Sequence, residues 1–115
     1  MFTLRWTDEA ASEYTRLKDK AEAAIERQPG KGRRKASRSE GLFKQVHKCV
    51  SLLAENPRHP GLQTHEFRSL EHPFNPNEKV FEAFAQNRTP GAYRIFWCYG
   101  PATSEITIIA IAPHP

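Results

Sequence analysis

The spacing of hydrophobic residues changes once along the chain, near residue 60, and this change restricts the folds that the chain can adopt. Before that point apolar residues recur every three or four positions, as on one face of an amphipathic helix. After it they alternate with polar residues, as in a half-buried strand. The pattern predicts an α+β domain of order β-α-α-β-β-β-β, with a helical pair packed on one face of an antiparallel sheet. A length of 115 residues predicts a single domain, 1–115.

Two capping sequences mark the expected starts of the helices. Thr7 precedes a helix predicted over residues 8–28, and its hydroxyl suits a hydrogen bond from the first turn. Ser37 and Glu40 have the spacing of a capping box, which predicts a second helix over residues 39–55. The short segment "FTLRW" before the first helix is expected to form a strand beside the sheet.

Turn-forming residues divide the second half of the chain into four expected strands. Turns such as "GPATS" separate runs that are rich in β-branched and aromatic residues. Consecutive strands joined by short turns pair antiparallel, which predicts a meander. The predicted strands cover residues 63–70, 79–86, 92–99 and 105–112.

Positive charge is concentrated in one segment, residues 31–48. The formal net charge of the whole chain is +4, whereas this segment alone carries +6, because Glu40 is its only acidic residue. Such a concentration favours a surface that binds a polyanion. A basic loop that only increases solubility is the alternative. The basic residues of the segment are Lys31, Arg33, Arg34, Lys35, Arg38, Lys44 and Lys48.

The cysteine, histidine and hydropathy patterns argue against several classes of protein. Cys49 and Cys98 lack the spacing of a metal or redox motif, which predicts two reduced thiols in a cytoplasmic protein. The histidines show no metal-ligand spacing, so neither a metal nor another cofactor is expected. No apolar run approaches the length of a membrane span and no signal-peptide pattern is present, so no membrane association is expected.

The predicted strand "AYRIFWCY" contains one charged residue, Arg94, among apolar neighbours. A guanidinium is always charged, and burying it without a partner costs free energy. Strand alternation places Arg94 on the face opposite Tyr93 and Ile95. If the helices cover the Tyr93 face, Arg94 is open to a substrate. If they cover the other face, it needs an ionic partner, and Glu82 is the candidate.

Several short motifs together resemble the RelE/ParE superfamily of toxins from type II toxin–antitoxin modules. Members carry a Tyr-Arg-apolar strand near the centre of the sheet, which Tyr93-Arg94-Ile95 matches. They often end with a strand leading into a histidine or a basic residue, and His114 in "ITIIAIAPHP" occupies that place. The segment "HEFRSL" resembles the strand after the second helix, with Leu70 as its closing leucine. The resemblance implies the fold of these toxins and a toxin function.

Two activities are associated with the family that the chain resembles. Many RelE-like toxins enter the ribosomal A site and cut mRNA without a metal, whereas ParE-like toxins poison DNA gyrase. The resemblance thus implies a toxin that inhibits translation as a ribosome-dependent, metal-independent mRNA endoribonuclease. The implied partners are a cognate antitoxin from a neighbouring gene, the ribosome and mRNA. The resemblance leaves the oligomeric state open.

The resemblance and the residue types together suggest the site for this reaction. In RNA cleavage the 2′-OH attacks the neighbouring phosphate, which requires a base, an acid and a cation. Arg94 would bind the phosphate, and His114 would act as the acid or base. Glu66, with His65 as an alternative, would be a further base, and Arg68 would hold phosphate beside them. The predicted nucleic-acid-binding residues are Lys31, Arg33, Arg34, Lys35, Arg38, Lys44, Lys48, Arg68 and Arg88.

One strand departs from the pattern of the RelE-like nucleases. Where these often have lysines before the Tyr-Arg strand, "KVFEAFAQ" has Glu82 and alanines. Glu82 would repel RNA, serve as an unusual general base or pair with Arg94. This departure favours the alternative of a non-catalytic relative with the same fold: a gyrase-directed poison or an RNA- or protein-binding module. A third possibility is an inactive descendant with only a structural or regulatory role.

Overall fold

The computed structural model describes residues 1–26, 37–87 and 89–114. Within these ranges the chain forms a five-stranded sheet with two long helices, and a short 3₁₀ turn precedes the second strand. The elements are β1 (Thr3–Trp6), α1 (Asp8–Glu26), α2 (Arg38–Glu55), the 3₁₀ turn (Pro60–Leu62), β2 (His65–Glu66), β3 (Phe81–Phe84), β4 (Tyr93–Tyr99) and β5 (Glu105–Pro113).

The strands lie in the order β1-β5-β4-β3-β2, so the last four form the predicted antiparallel meander. β1 joins the edge of this meander beside β5, and the β1–β5 pair is parallel. The sheet is therefore mixed rather than antiparallel throughout. A parallel pair requires a long crossover connection, and the two helices between β1 and the meander contribute to one. The predicted α+β fold with a helical pair on one face is confirmed.

The second strand is much shorter than the expected 63–70. Gln63 ends the 3₁₀ turn in the left-handed region (φ 49°), which is incompatible with an extended strand there. After Glu66, one further hydrogen bond, from Phe67 N to Val80 O at 2.8 Å, closes the ladder. The remaining strands agree with their predicted positions to within two residues at each end.

The helices cover the face of the sheet that carries Tyr93, Ile95 and Trp97. Ile95 and Trp97 are buried in one apolar cluster with residues of both helices, such as Leu17 and Leu53. The predicted caps are present. Thr7 Oγ1 accepts a hydrogen bond from Ala10 N at 3.1 Å, and Ser37 Oγ accepts one from Glu40 N at 3.2 Å. The contact between Tyr14, in the first half of α1, and His47, in the second half of α2, shows that the two helices run antiparallel.

A β-bulge in β5 reverses the alternation of its side chains. Ile108 pairs with Trp97 and Ala110 pairs with Phe96, so Ile109 is an extra residue without a cross-strand partner. Thr7 Oγ1 donates a hydrogen bond to Ile109 O at 2.6 Å and thereby ties the bulge to the start of α1. Because of the bulge, three residues after Ile109 face away from the helices: Ala110, Ala112 and His114.

Among the residues that the structure describes, no helix combines the length and apolar character that crossing a membrane requires. Both cysteines are buried and neither forms a disulfide. Burial raises the pKa of the Cys49 thiol to about 12 and that of the Cys98 thiol to about 11. The expectation of two free thiols is confirmed.

Candidate functional site

The face of the sheet away from the helices, here called the open face, carries the charged residues of β3 and β4. Glu82 on β3 lies opposite Phe96 on β4, and Phe84 lies opposite Arg94. These four side chains therefore share one face, since directly opposed residues of antiparallel strands point the same way. Glu82, Arg94 and Phe96 are nevertheless buried.

A buried carboxylate, Glu82, lies between two histidines. Its side chain is 2% exposed, while those of His65 and His114 are about half exposed. His65 Nε2 is within hydrogen-bonding distance of Glu82 Oε1. His114 Nδ1 lies 3.3 Å from Oε2 without the alignment of a hydrogen bond, so this contact is electrostatic. His114 reaches Glu82 from the end of β5 across β4, the strand that carries Arg94.

The contacts of the two rings constrain where their protons lie. Nδ1 of His65 is 3.2 Å from the backbone oxygen of Gln63, which can only accept a hydrogen bond, so Nδ1 carries a proton. The contact between His65 Nε2 and Glu82 then needs a second proton, held by one of the two groups. For His114, the carboxylate favours a proton on Nδ1, which leaves Nε2 as an acceptor. Within the described part of the chain, Nε2 of His114 contacts no partner.

Arg94 is 8% exposed and has no carboxylate partner among the described residues. Its guanidinium carbon lies 3.7 Å from the centroid of the Phe84 ring, a cation–π arrangement. Nη1 donates to Gln86 O at 2.8 Å, and more weakly to Tyr93 O at 3.4 Å. Nε is buried without a partner. Arg94 thus points to the open face and does not pair with Glu82, because the register places Phe84, not Glu82, opposite it.

An apolar groove of about 270 Å³ adjoins these residues on the open face. Phe67 packs on Phe96 with ring centroids 4.7 Å apart and forms one wall. The small side chains of Ala110 and Ala112 form the floor beside β4. The groove is completed by Ser69, Leu70 and Pro113.

The other predicted site residues lie apart from this cluster. Glu66 follows His65 in β2, so its side chain leaves the strand on the opposite side, and its nearest cation is Arg68 at 3.6 Å. Arg68 itself is 87% exposed. The structure therefore does not bring Glu66 together with Glu82 and His114. Arg38, Lys44 and Lys48 are exposed on α2. Lys31, Arg33, Arg34, Lys35 and Arg88 lie outside the described residues.

Sequence reasoning considered Glu82 as a partner of Arg94, as an unusual general base or as a charge that repels RNA. It missed that Glu82 joins His65 to His114, and that Gln86 holds Arg94 through its backbone oxygen. The sequence signal for the role of Glu82 between the two histidines was the presence of an acidic residue within an otherwise apolar strand. In residues 1–26, 37–87 and 89–114, no group of three or more His, Cys, Asp or Glu side chains is placed to hold a metal ion.

Comparison with known proteins identifies relatives by structure alone. No protein-family model matches the sequence, and no curated protein matches it. The YoeB/ParE toxin from Agrobacterium tumefaciens is similar over 98% of this chain and 99% of its own, with a TM-score of 0.57 and 9% identity. The chromosomal ParDE system from P. aeruginosa matches over 100% and 98%, with a TM-score of 0.54 and 17% identity.

The toxin–antitoxin complex RelBE of E. coli matches over 100% of this chain and 99% of the matched chain, with a TM-score of 0.53 and 12% identity. All three cover both chains nearly end to end, so the likeness includes the helical pair and the whole sheet. The chain therefore has the fold of the RelE/ParE superfamily of toxins.

Proposed function

We propose that this chain is the toxin of a type II toxin–antitoxin module and that it cuts ribosome-bound mRNA without a metal. The observation that carries the proposal is the buried carboxylate Glu82 between His65 and His114, beside a buried Arg94 that lacks an anionic partner. A buried guanidinium without a counter-charge is suited to an anionic ligand, and a phosphate matches its planar geometry. The toxin fold supports the same conclusion.

The proposed reaction is the attack of an RNA 2′-oxygen on the neighbouring phosphorus. The O2′–P bond forms, the P–O5′ bond breaks, and a cyclic phosphate and a free 5′-hydroxyl result. His114 Nε2 takes the proton of the 2′-hydroxyl, and the departing 5′-oxygen takes a proton from solvent. Arg94 stabilises the negative charge that accumulates on the phosphate oxygens.

Glu82 acts in this proposal through His114 rather than on the substrate. A buried carboxylate beside Nδ1 favours the tautomer whose Nε2 is a base, and it stabilises the imidazolium after proton transfer. His65 holds the other carboxylate oxygen and limits the repulsion between Glu82 and RNA. Both nitrogens of His65 have partners, so we assign it a positioning role. Glu66, predicted as a base, is not included in this mechanism.

The proposed partners follow from the proposed toxin function. A cognate antitoxin would cover the open face, and the relatives RelBE and ParDE are toxin–antitoxin systems. The predicted basic segment 31–48 would bind ribosomal RNA, together with Arg68 and Arg88. The proposed location is the cytoplasm, where mRNA is translated.

The experiment is induction of the chain in a bacterium, with and without the neighbouring gene, followed by mapping of mRNA ends. Arg94→Ala should reduce cleavage on the order of a hundredfold or more, because a charge-stabilising donor is lost. The control is Arg5→Ala, which removes an arginine that pairs with Glu105 at the far edge of the sheet. If Arg94→Ala does not fold, Arg94→Lys keeps the charge without the planar fork and should still lose cleavage.

Other outcomes contradict the proposal. Growth inhibition with intact mRNA and impaired gyrase would assign the chain to the alternative class of gyrase-directed poisons. Cleavage that Arg94→Lys and Arg94→Ala leave unchanged would remove Arg94 from the site. Cleavage of RNA by the purified chain without ribosomes would contradict the ribosome dependence, and abolition of that cleavage by EDTA would also contradict the metal-independent mechanism.

A further inference from the structure

A small pocket between the helices lies near the start of β4, on the opposite side of the sheet from Arg94. Its volume is about 120 Å³. At about 30 Å³ per water molecule, this space would hold about four waters, which is also enough for one phosphate group. Basic and hydroxyl side chains dominate its lining. The lining residues are Arg16, Leu17, Lys20, Arg38, Ser39, Leu42 and Tyr93.

The pocket has more positive than negative charge. Arg16 donates two hydrogen bonds to Glu13, at 2.8 and 2.7 Å, and these hold the pKa of the Glu13 carboxyl below its usual range. That pair is neutral overall. Lys20 and Arg38 form no ion pair or hydrogen bond with another described side chain. Within the described residues, two cations from different helices therefore remain without a partner around one cavity.

The remaining lining suits a tetrahedral oxyanion. The hydroxyl of Ser39 is a hydrogen-bond donor, and Ser39 lies in the first turn of α2, where the helix dipole favours an anion. The Tyr93 hydroxyl, which also interacts with the Glu13 carboxylate, lines the same cavity. Leu17 and Leu42 form apolar walls, which strengthen electrostatic interactions by excluding water. No single one of these features makes a site, but they converge on one cavity.

We propose that this pocket binds a phosphate group, with Lys20 and Arg38 as the principal cations. The proposal does not depend on the proposed nuclease activity, because none of its lining residues belongs to the Glu82 cluster. Tyr93 precedes Arg94 in β4, so the pocket and Arg94 lie on the two sides of the same strand end. The phosphate can belong to a free phosphorylated small molecule or to a polynucleotide backbone.

The test measures the binding of inorganic phosphate at constant ionic strength, by calorimetry and by the shift in the thermal unfolding midpoint. The double variant Lys20→Gln with Arg38→Gln should lose about tenfold or more of the affinity per side chain, because hydrogen bonds to charged groups are lost. The matched control is Lys18→Gln with Arg5→Gln. It removes the same charges, and Lys18 is an exposed residue of the same helix.

An equal loss of affinity in the double variant and in the control would overturn the proposal, since the binding would then follow net charge. Unchanged affinity in the double variant would also overturn it, since Lys20 and Arg38 would then not bind the ion. Loss of phosphate binding in Arg94→Lys but not in the double variant would also overturn it, since the ion would then occupy the nuclease site. The source is decided with a mononucleotide and an oligoribonucleotide. If the phosphate belongs to a polynucleotide, the oligoribonucleotide should lose affinity both in the double variant and in Arg94→Lys. If it belongs to a small molecule, the mononucleotide should lose affinity in the double variant alone.

Discussion

The two faces of the sheet are buried by different means and hold different residues. On the covered face, Ile95 and Trp97 lie under two helices in a wholly apolar cluster. On the open face none of the helices in the described residues lies over the strands, yet Glu82, Arg94 and Phe96 are buried. Burial on the open face comes from single side chains of the neighbouring strands and loops, such as Phe67 on Phe96.

This difference determines which residues each face tolerates. Around Ile95 and Trp97 the helices contribute apolar side chains, so a charge at the centre of the covered face would have no partner. The open face supplies individual polar partners. Two histidines hold Glu82, and the Phe84 ring with the Gln86 carbonyl holds Arg94. The covered face thus holds the apolar core, and the open face holds buried charges.

The largest expected effect is on the covered face. Ile95→Ala should lower the free energy of unfolding by about 2–5 kcal/mol, because Ile95 is fully buried and the change leaves a cavity. Urea denaturation measures the loss. Ile25→Ala is the matched control, since Ile25 on α1 is 47% exposed and should lose much less. Equal losses in the two variants would show that the covered face is not the tightly packed core.

An intermediate effect is expected on the open face. Glu82→Gln keeps the shape of the side chain but removes the charge between His65 and His114, and it should cost about 1–3 kcal/mol because a buried charge-assisted contact is lost. Glu66→Gln makes the same change at an exposed position of β2 and should be close to neutral. If Glu82→Gln stabilised the fold, the carboxylate would be kept at the expense of stability, which would favour a functional role for it.

The smallest expected effect concerns the alkylation of the two cysteines, one on each face. Cys49 belongs to the covered core, whereas Cys98 faces the open side beside Thr107. Alkylation needs the thiolate, and burial raises the pKa values to about 12 and about 11, so the native protein should be unreactive at pH 8. Mass spectrometry after iodoacetamide treatment measures the labelling, and a sample in urea should carry two labels. Rapid labelling of Cys98 alone in the native protein would mean that the open face opens readily.

The sequence by itself was sufficient for the α+β class and the order of the elements, but not for the parallel pairing of β1 with β5 or for the short β2. The change of hydrophobic period near residue 60 predicted the helical pair and the meander, because burial of one face imposes that period on each element. The caps at Thr7 and Ser37 were predictable for a similar reason, since a side-chain oxygen has to satisfy the free N–H groups of the first turn. That Arg94 lies on the face opposite Tyr93 also followed from strand alternation, whereas only the structure showed that the helices cover the Tyr93 face.

The candidate site was decided by contacts between residues distant in the sequence. The cross-strand register pairs Arg94 with Phe84 and Glu82 with Phe96, and an offset between strands is not encoded in the alternation of either strand. The bulge at Ile109 had the larger consequence. Without the extra residue, His114 would share a face with Ile106 and Ile108 under the helices, whereas with it His114 lies on the open face and reaches Glu82. A bulge depends on bonds made by the partner strand and by Thr7, more than 100 residues earlier in the chain, so only the tertiary structure could place this histidine.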